Sequence, residues 1–179
     1  MAQTRITKKM QKRGRLASLM IGYWSLLVIS GCYSFTGAAL PSHIRTISIP
    51  IFGDESRSGV PQLRERLSQR LADRIQTQSP LVIEQSRTDA NAIVEGVVTA
   101  FTEQPSVIGG ATERATQNRI TITVSATYRD LVKKKTLFKE NFSAFKDYPI
   151  GNNSARLQAI DETLTLLSEN MLNKILSGW

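Results

Sequence analysis

Between Arg119 and Arg129 the chain reads RITITVSATYR, and two kinds of residue alternate there without a slip. Ile120, Ile122, Val124, Ala126 and Tyr128 share one parity, while Arg119, Thr121, Thr123, Ser125, Thr127 and Arg129 share the other. Successive side chains of a strand point to opposite faces, so this segment is a strand with one face on a core. Its other face must meet water, a partner or a polar ligand. A helical period of 3.6 would scatter the same apolar residues around a cylinder.

The neighbouring segments supply the rest of a sheet. AIVEGVVTAFTEQ before it has Ile93, Val97 and Val98 as apolar residues, with Gly96 marking a bulge or a close approach. PSVIGGATERATQ, with Pro105 and Gly109-Gly110, reads as a long hairpin loop. After the turn LVKKK, the segment TLFKENFSAFKDY returns as a strand contributing Leu137, Phe138, Phe142 and Phe145. These three strands form an antiparallel meander. Upstream, IRTISIPIF is β-branched and partly alternating, with Pro50 favouring an edge or a strand end. LVIE, after Pro80, is a short strand.

Two stretches have helical spacing. Val60, Leu63, Leu67, Leu71 and Ile75 fall three or four apart, with Ser58 as the expected cap and Pro61 in the first turn. Arg64, Arg66, Arg70 and Arg74 mostly take other faces and read as a solvated surface. At the C-terminal end, Leu157, Ile160, Leu164, Leu167, Met171 and Ile175 make a stripe after a Ser154 cap and before Gly178. The order is β-α-β-β-β-β-α. It predicts an α+β two-layer sandwich, with two helices on one face of a four- to five-stranded mixed sheet. The first strand and helix are expected to form a right-handed crossover unit.

Charge is distributed unevenly. Six of the 23 Lys and Arg residues precede position 32, where no Asp or Glu occurs, leaving 17 basic against 15 acidic residues in the remainder. The net charge of +8 is therefore no argument for nucleic acid, because the body is nearly neutral. The basic start, the 14-residue apolar run Leu16–Ile29 and the small residues Ser30 and Gly31 have the layout of a secretory signal. That run is short of the roughly 20 residues a spanning helix needs. Ile29-Ser30-Gly31-Cys32 resembles the lipobox of bacterial lipoproteins. The resemblance implies cleavage of residues 1–31, acylation of Cys32 and an extended leader over 32–43, ahead of a single domain over 44–179. Several acyl chains anchor firmly where one binds reversibly. Tyr33 stands where an inner-membrane retention signal would have Asp, which favours the periplasmic face of the outer membrane.

Groups for catalysis are few. His43 is the sole histidine and lies in the leader, and Cys32 is the sole cysteine. A His-dependent triad and a Cys/His metal set are therefore not expected, and no cofactor is implied beyond the lipid. Gly109-Gly110 lacks the lysine of a phosphate loop. Asp54-Glu55 and Asp161-Glu162 read as acidic pairs beside helix starts, favoured by the helix dipole. A non-enzymatic binding protein remains. Its candidate contacts are cations on exposed turns: Arg114 and Arg119 at the hairpin, Arg129 on the same polar face as Arg119, and Lys133–Lys135, which read as a solvated turn.

The series YSFTGAALPSHIRTISIPIFGDES, LRERLSQRLADRI, DANAIVEGVVTAF, RITITVSATYRDL and ILSGW resembles the LptE family of lipopolysaccharide-assembly lipoproteins over residues 32–179. That resemblance implies helices packed on a four-stranded sheet, seated as a plug in the LptD β-barrel of the outer membrane. It implies help in barrel assembly and in delivering lipopolysaccharide to the cell surface. It also implies glycolipid contacts through basic residues of the hairpin, Arg114 and Arg119 first among them. The alternative is a lipoprotein adaptor or activator of a periplasmic envelope enzyme such as a peptidoglycan synthase. The partner discriminates the two.

Overall fold

The computed structural model describes residues 40–109 and 114–177, so Cys32 and the segment before it lie outside the described residues, as does Gly178. In chain order the elements are β1 (Thr46–Ser48), β2 (Gly53–Asp54), α1 (Leu63–Gln78), β3 (Val82–Ile83), β4 (Ala92–Gly109), β5 (Arg114–Asp130), β6 (Lys135–Pro149) and α2 (Asn153–Leu176). The sheet runs β3-β1-β4-β5-β6, with β2 also on β4. β1 is parallel to both β3 and β4, and β4-β5-β6 is the antiparallel meander. This is the expected α+β mixed sheet with two helices, at six strands.

The added strand has a local cause. Pro50 cannot donate to a ladder, so the expected first strand stops at Ser48, and pairing with β4 resumes only at Gly53. Phe52, between the two short strands, is 1% exposed and lies over Gly96. A Cβ at Gly96 would come within 2.6 Å of the Phe52 ring, so the glycine marks a close approach. The bulge is elsewhere in β4, between Val98 and Ala100.

Alternation in β5 is realised residue by residue. Ile120, Ile122, Val124, Ala126 and Tyr128 are fully buried and join Leu67, Leu71 and Ile75 of α1 and Ile160, Leu164, Leu167, Met171 and Ile175 of α2 in one core. Each such Leu or Ile is worth about 1.5–3 kcal/mol of burial. Leu157 of the expected α2 stripe is instead 49% exposed, near the start of the helix.

Helix starts differ from expectation. α1 is preceded by Gln62 in the left-handed region, with no side-chain cap, and Ser58 instead accepts a bond from the Val60 N–H at 3.2 Å, closing a turn. α2 is capped by Asn152, which accepts from the Ala155 N–H at 3.0 Å, while Ser154 donates to the Asn152 side chain. Asp161 lies mid-helix in α2 and binds Arg66 and Arg70 of α1; Arg70 is 2.5 Å away and also donates to the Thr165 hydroxyl. Arg74 reaches Glu169 at 4.0 Å. The face of α1 read as solvated is therefore largely an inter-helix seam, with Arg64 alone of those four paired on its own helix, to Glu65. Asp54 likewise serves a turn, accepting from Ser56, nine residues before α1.

Candidate functional site

Among the described residues, the second face of the sheet carries no helix. On β5 it presents Arg119, Thr121, Thr123, Ser125, Thr127 and Arg129, all partly exposed. Registered opposite them on β6 are Asp147, Phe145, Ser143, Asn141 and Lys139. On β4 the corresponding positions include Glu95, Val97, Thr102 and Gln104. The hydroxyls of Thr123 and Ser143 meet across the ladder at 3.3 Å, and the Thr99 hydroxyl donates to the Thr123 carbonyl at 3.3 Å. Such short hydroxyl side chains leave their remaining valences to water or to an occupant.

At one end of this face, β4 and β5 run past the last β6 pair, Gln117 with Pro149, as a two-stranded ribbon. Much of the segment expected as loop, 105–117, is therefore strand, with register shifts between Pro105 and Val107 and between Val107 and Ile108. Arg114 opens β5 at the tip, its backbone paired with Gly109. Arg119 lies at the ribbon's base, where it forms a two-point ion pair with Asp147 at 2.8 and 2.9 Å. Its guanidinium also rests 4.1 Å from the centre of the Phe145 ring. The hydrogen bonds from Arg119 hold the Asp147 carboxyl below its usual range, and Asp147 in turn keeps Arg119 firmly protonated. An open depression of about 250 Å³ adjoins them, bordered by Thr102, Gln104, Ser106, Arg119 and Thr121.

The other side of the ribbon base is also knitted. Glu103 accepts from Arg156 of α2 at 2.9–3.0 Å and from the Tyr148 hydroxyl. This joins the ribbon to the start of α2.

Arg129 is not part of the Arg119 site. Ten residues of strand separate them, roughly 34 Å, and Arg129 bonds to Glu95 at 2.6 Å. Of the residues that shape the Arg119 site, sequence reasoning missed Asp147 and Phe145. Phe145 was read only as one of the apolar residues of its strand, with no face assigned, and it is 52% exposed. Its parity was the available signal, since Phe138 and Phe142 are even and Phe145 is odd.

His43, expected in the leader, bonds through Nε2 to Asp130 at 2.6 Å. Among the described residues no group of carboxylates, histidines and cysteines could hold a metal ion, and no helix is long and apolar enough to cross a membrane.

Several solved structures share the fold. Lipoprotein B of Nitrosomonas europaea, described as uncharacterized, superposes with a TM-score of 0.55 at 12% identity, covering 78% of this chain and 86% of that one. The PelC dodecamer subunit of Paraburkholderia phytofirmans gives 0.53 at 10% identity, covering 80% and 94%. Rare lipoprotein B of Shewanella oneidensis gives 0.50 at 9% identity, covering 73% and 93%. No curated protein matches the chain in sequence. The family model LptE, lipopolysaccharide-assembly, matches residues 44–177.

Proposed function

The chain belongs to the LptE family of lipopolysaccharide-assembly proteins, and from that premise we propose that it is an outer-membrane lipoprotein, acylated on Cys32, that plugs an LptD-like β-barrel. The match over residues 44–177 carries this reading, because it spans the whole described domain from β1 through α2. In this role the protein assists assembly of the barrel and delivery of lipopolysaccharide to the outer leaflet, and it does so by binding.

The uncovered sheet face suits such a seat. A barrel lumen is polar, and the Thr and Ser hydroxyls of β5 and β6 would exchange water for lumen groups at little cost. Arg114 and Arg119 are the proposed glycolipid contacts. Arg119 comes to a phosphate already oriented by Asp147 and Phe145, so the ligand must compete with a carboxylate for the guanidinium fork.

Site-specific photocrosslinking from Thr123 in cells tests the seat. Capture of an integral β-barrel supports the proposal. Crosslinks confined to a soluble periplasmic enzyme would overturn it in favour of the adaptor role.

A further inference from the structure

We infer that the end of the sheet where the chain enters the domain is a membrane-facing cationic surface that binds the phosphate groups of anionic phospholipids. Register fixes which residues share that end. Ile47 of β1 pairs with Ala92 at the start of β4, and Ala92 pairs with Asp130 at the end of β5. The β5–β6 turn, Leu131–Lys134, and the entering segment Leu40–Ile44 therefore lie together, and the His43–Asp130 bond ties them.

The turn is held in shape and left uncompensated. Asp130, 2% exposed, accepts from the Lys133 N–H at 2.8 Å, and Lys134 takes a left-handed φ of 53°. Among the described residues, no carboxylate pairs with Lys133, Lys134 or Lys135, whereas Lys146, Lys174, Arg119 and Arg156 each have one. Beside the turn, Arg87 and Arg129 share the single carboxylate of Glu95, at 2.7 and 2.6 Å. The Arg129 Nε is buried and has no hydrogen-bond partner in the structure. Arg87, Arg129, Lys134 and Lys135 surround an open depression of about 410 Å³. The carboxylates here, Glu95 and Asp130, are both engaged already, so the depression keeps a positive excess.

A lipid surface fits better than a dissolved anion. Val132, directly before the lysines, is 56% exposed, and an apolar side chain flanked by cations matches the boundary between headgroups and acyl chains. The orientation rests on the acylation proposed above: Leu40 follows Cys32 by eight residues, a tether of at most about 29 Å. Each lysine near an anionic surface adds roughly a factor of five to the attraction, so the turn as a whole contributes about a hundredfold.

The test uses the full acylated protein on vesicles of phosphatidylcholine alone, or of equal parts phosphatidylcholine and phosphatidylglycerol. A water-soluble amine reagent labels exposed lysines, and mass spectrometry reads the rate at each. Labelling of Lys133–Lys135 is expected to slow several-fold on the phosphatidylglycerol vesicles, to recover at high salt, and to be unchanged at Lys146, which lies in the second half of β6. Equal rates on the two vesicles would overturn the proposal. Equal protection by inorganic phosphate over phosphatidylcholine would overturn the assignment to lipid. Acylation is read separately from the mass of the N-terminal peptide. A free Cys32 thiol would remove the anchor, while slowed labelling on phosphatidylglycerol would still support the cationic surface.

Discussion

Asp130 shows how much a single buried carboxylate organises. Burial by itself would raise its pKa, but the bonds from the Lys133 N–H and from His43 outweigh burial and leave it below the usual 3.8. A lowered folded pKa contributes stability above the unfolded value, and that contribution is lost as pH falls through the folded one. Asp130→Asn should therefore be less stable than wild type at neutral pH, with the gap closing below about pH 4 in urea titrations. His43→Ala removes one partner and should cost about 1–3 kcal/mol by the same measurement. Gly96→Ala should cost a similar amount, about 1–3 kcal/mol, because Phe52 must leave its place over β4. Only part of this was legible in sequence. Gly96 announced a bulge or a close approach, of which the second holds, whereas the 87-residue separation of His43 from Asp130 hid that contact.

The elements were read more fully than their seams. Alternation located β5 and spacing located both helices, because a half-buried strand and a one-sided helix each impose a period on the sequence. A two-residue strand imposes none: β3, paired with β1, was read only from the β-branched LVIE after Pro80, and β2, paired with β4, was not read at all. The α1–α2 seam was also hidden, since a charged helix face looks the same whether it meets water or an opposite charge. Asp161, which binds Arg66 and Arg70, is 46% exposed, so Asp161→Ala should cost only about 1 kcal/mol in thermal unfolding. Asn152→Ala, which removes the α2 cap, should cost about 1 kcal/mol as well. The ribbon residues 105–109 and 114–117 were expected as loop because Pro105 and the glycines punctuate that segment, and register shifts after Pro105 absorb the proline within a continuing ladder.

Taken as a whole, the described domain has two unlike sheet faces and two unlike ends. Among the described residues, helices close one sheet face and leave the polar face open. One end projects the β4–β5 ribbon with Arg114 and Arg119, and the other gathers the entering chain with Lys133–Lys135. Placed in a barrel, such a body would set the ribbon deep in the lumen and the lysine turn at the membrane surface. The most direct measurement is purification of the acylated, tagged protein from detergent-solubilised membranes, with identification of what accompanies it. The expected result is one integral β-barrel in near-equal amount, retained at high salt. Recovery of the protein without any barrel, or with a soluble envelope enzyme in its place, would contradict the proposed function.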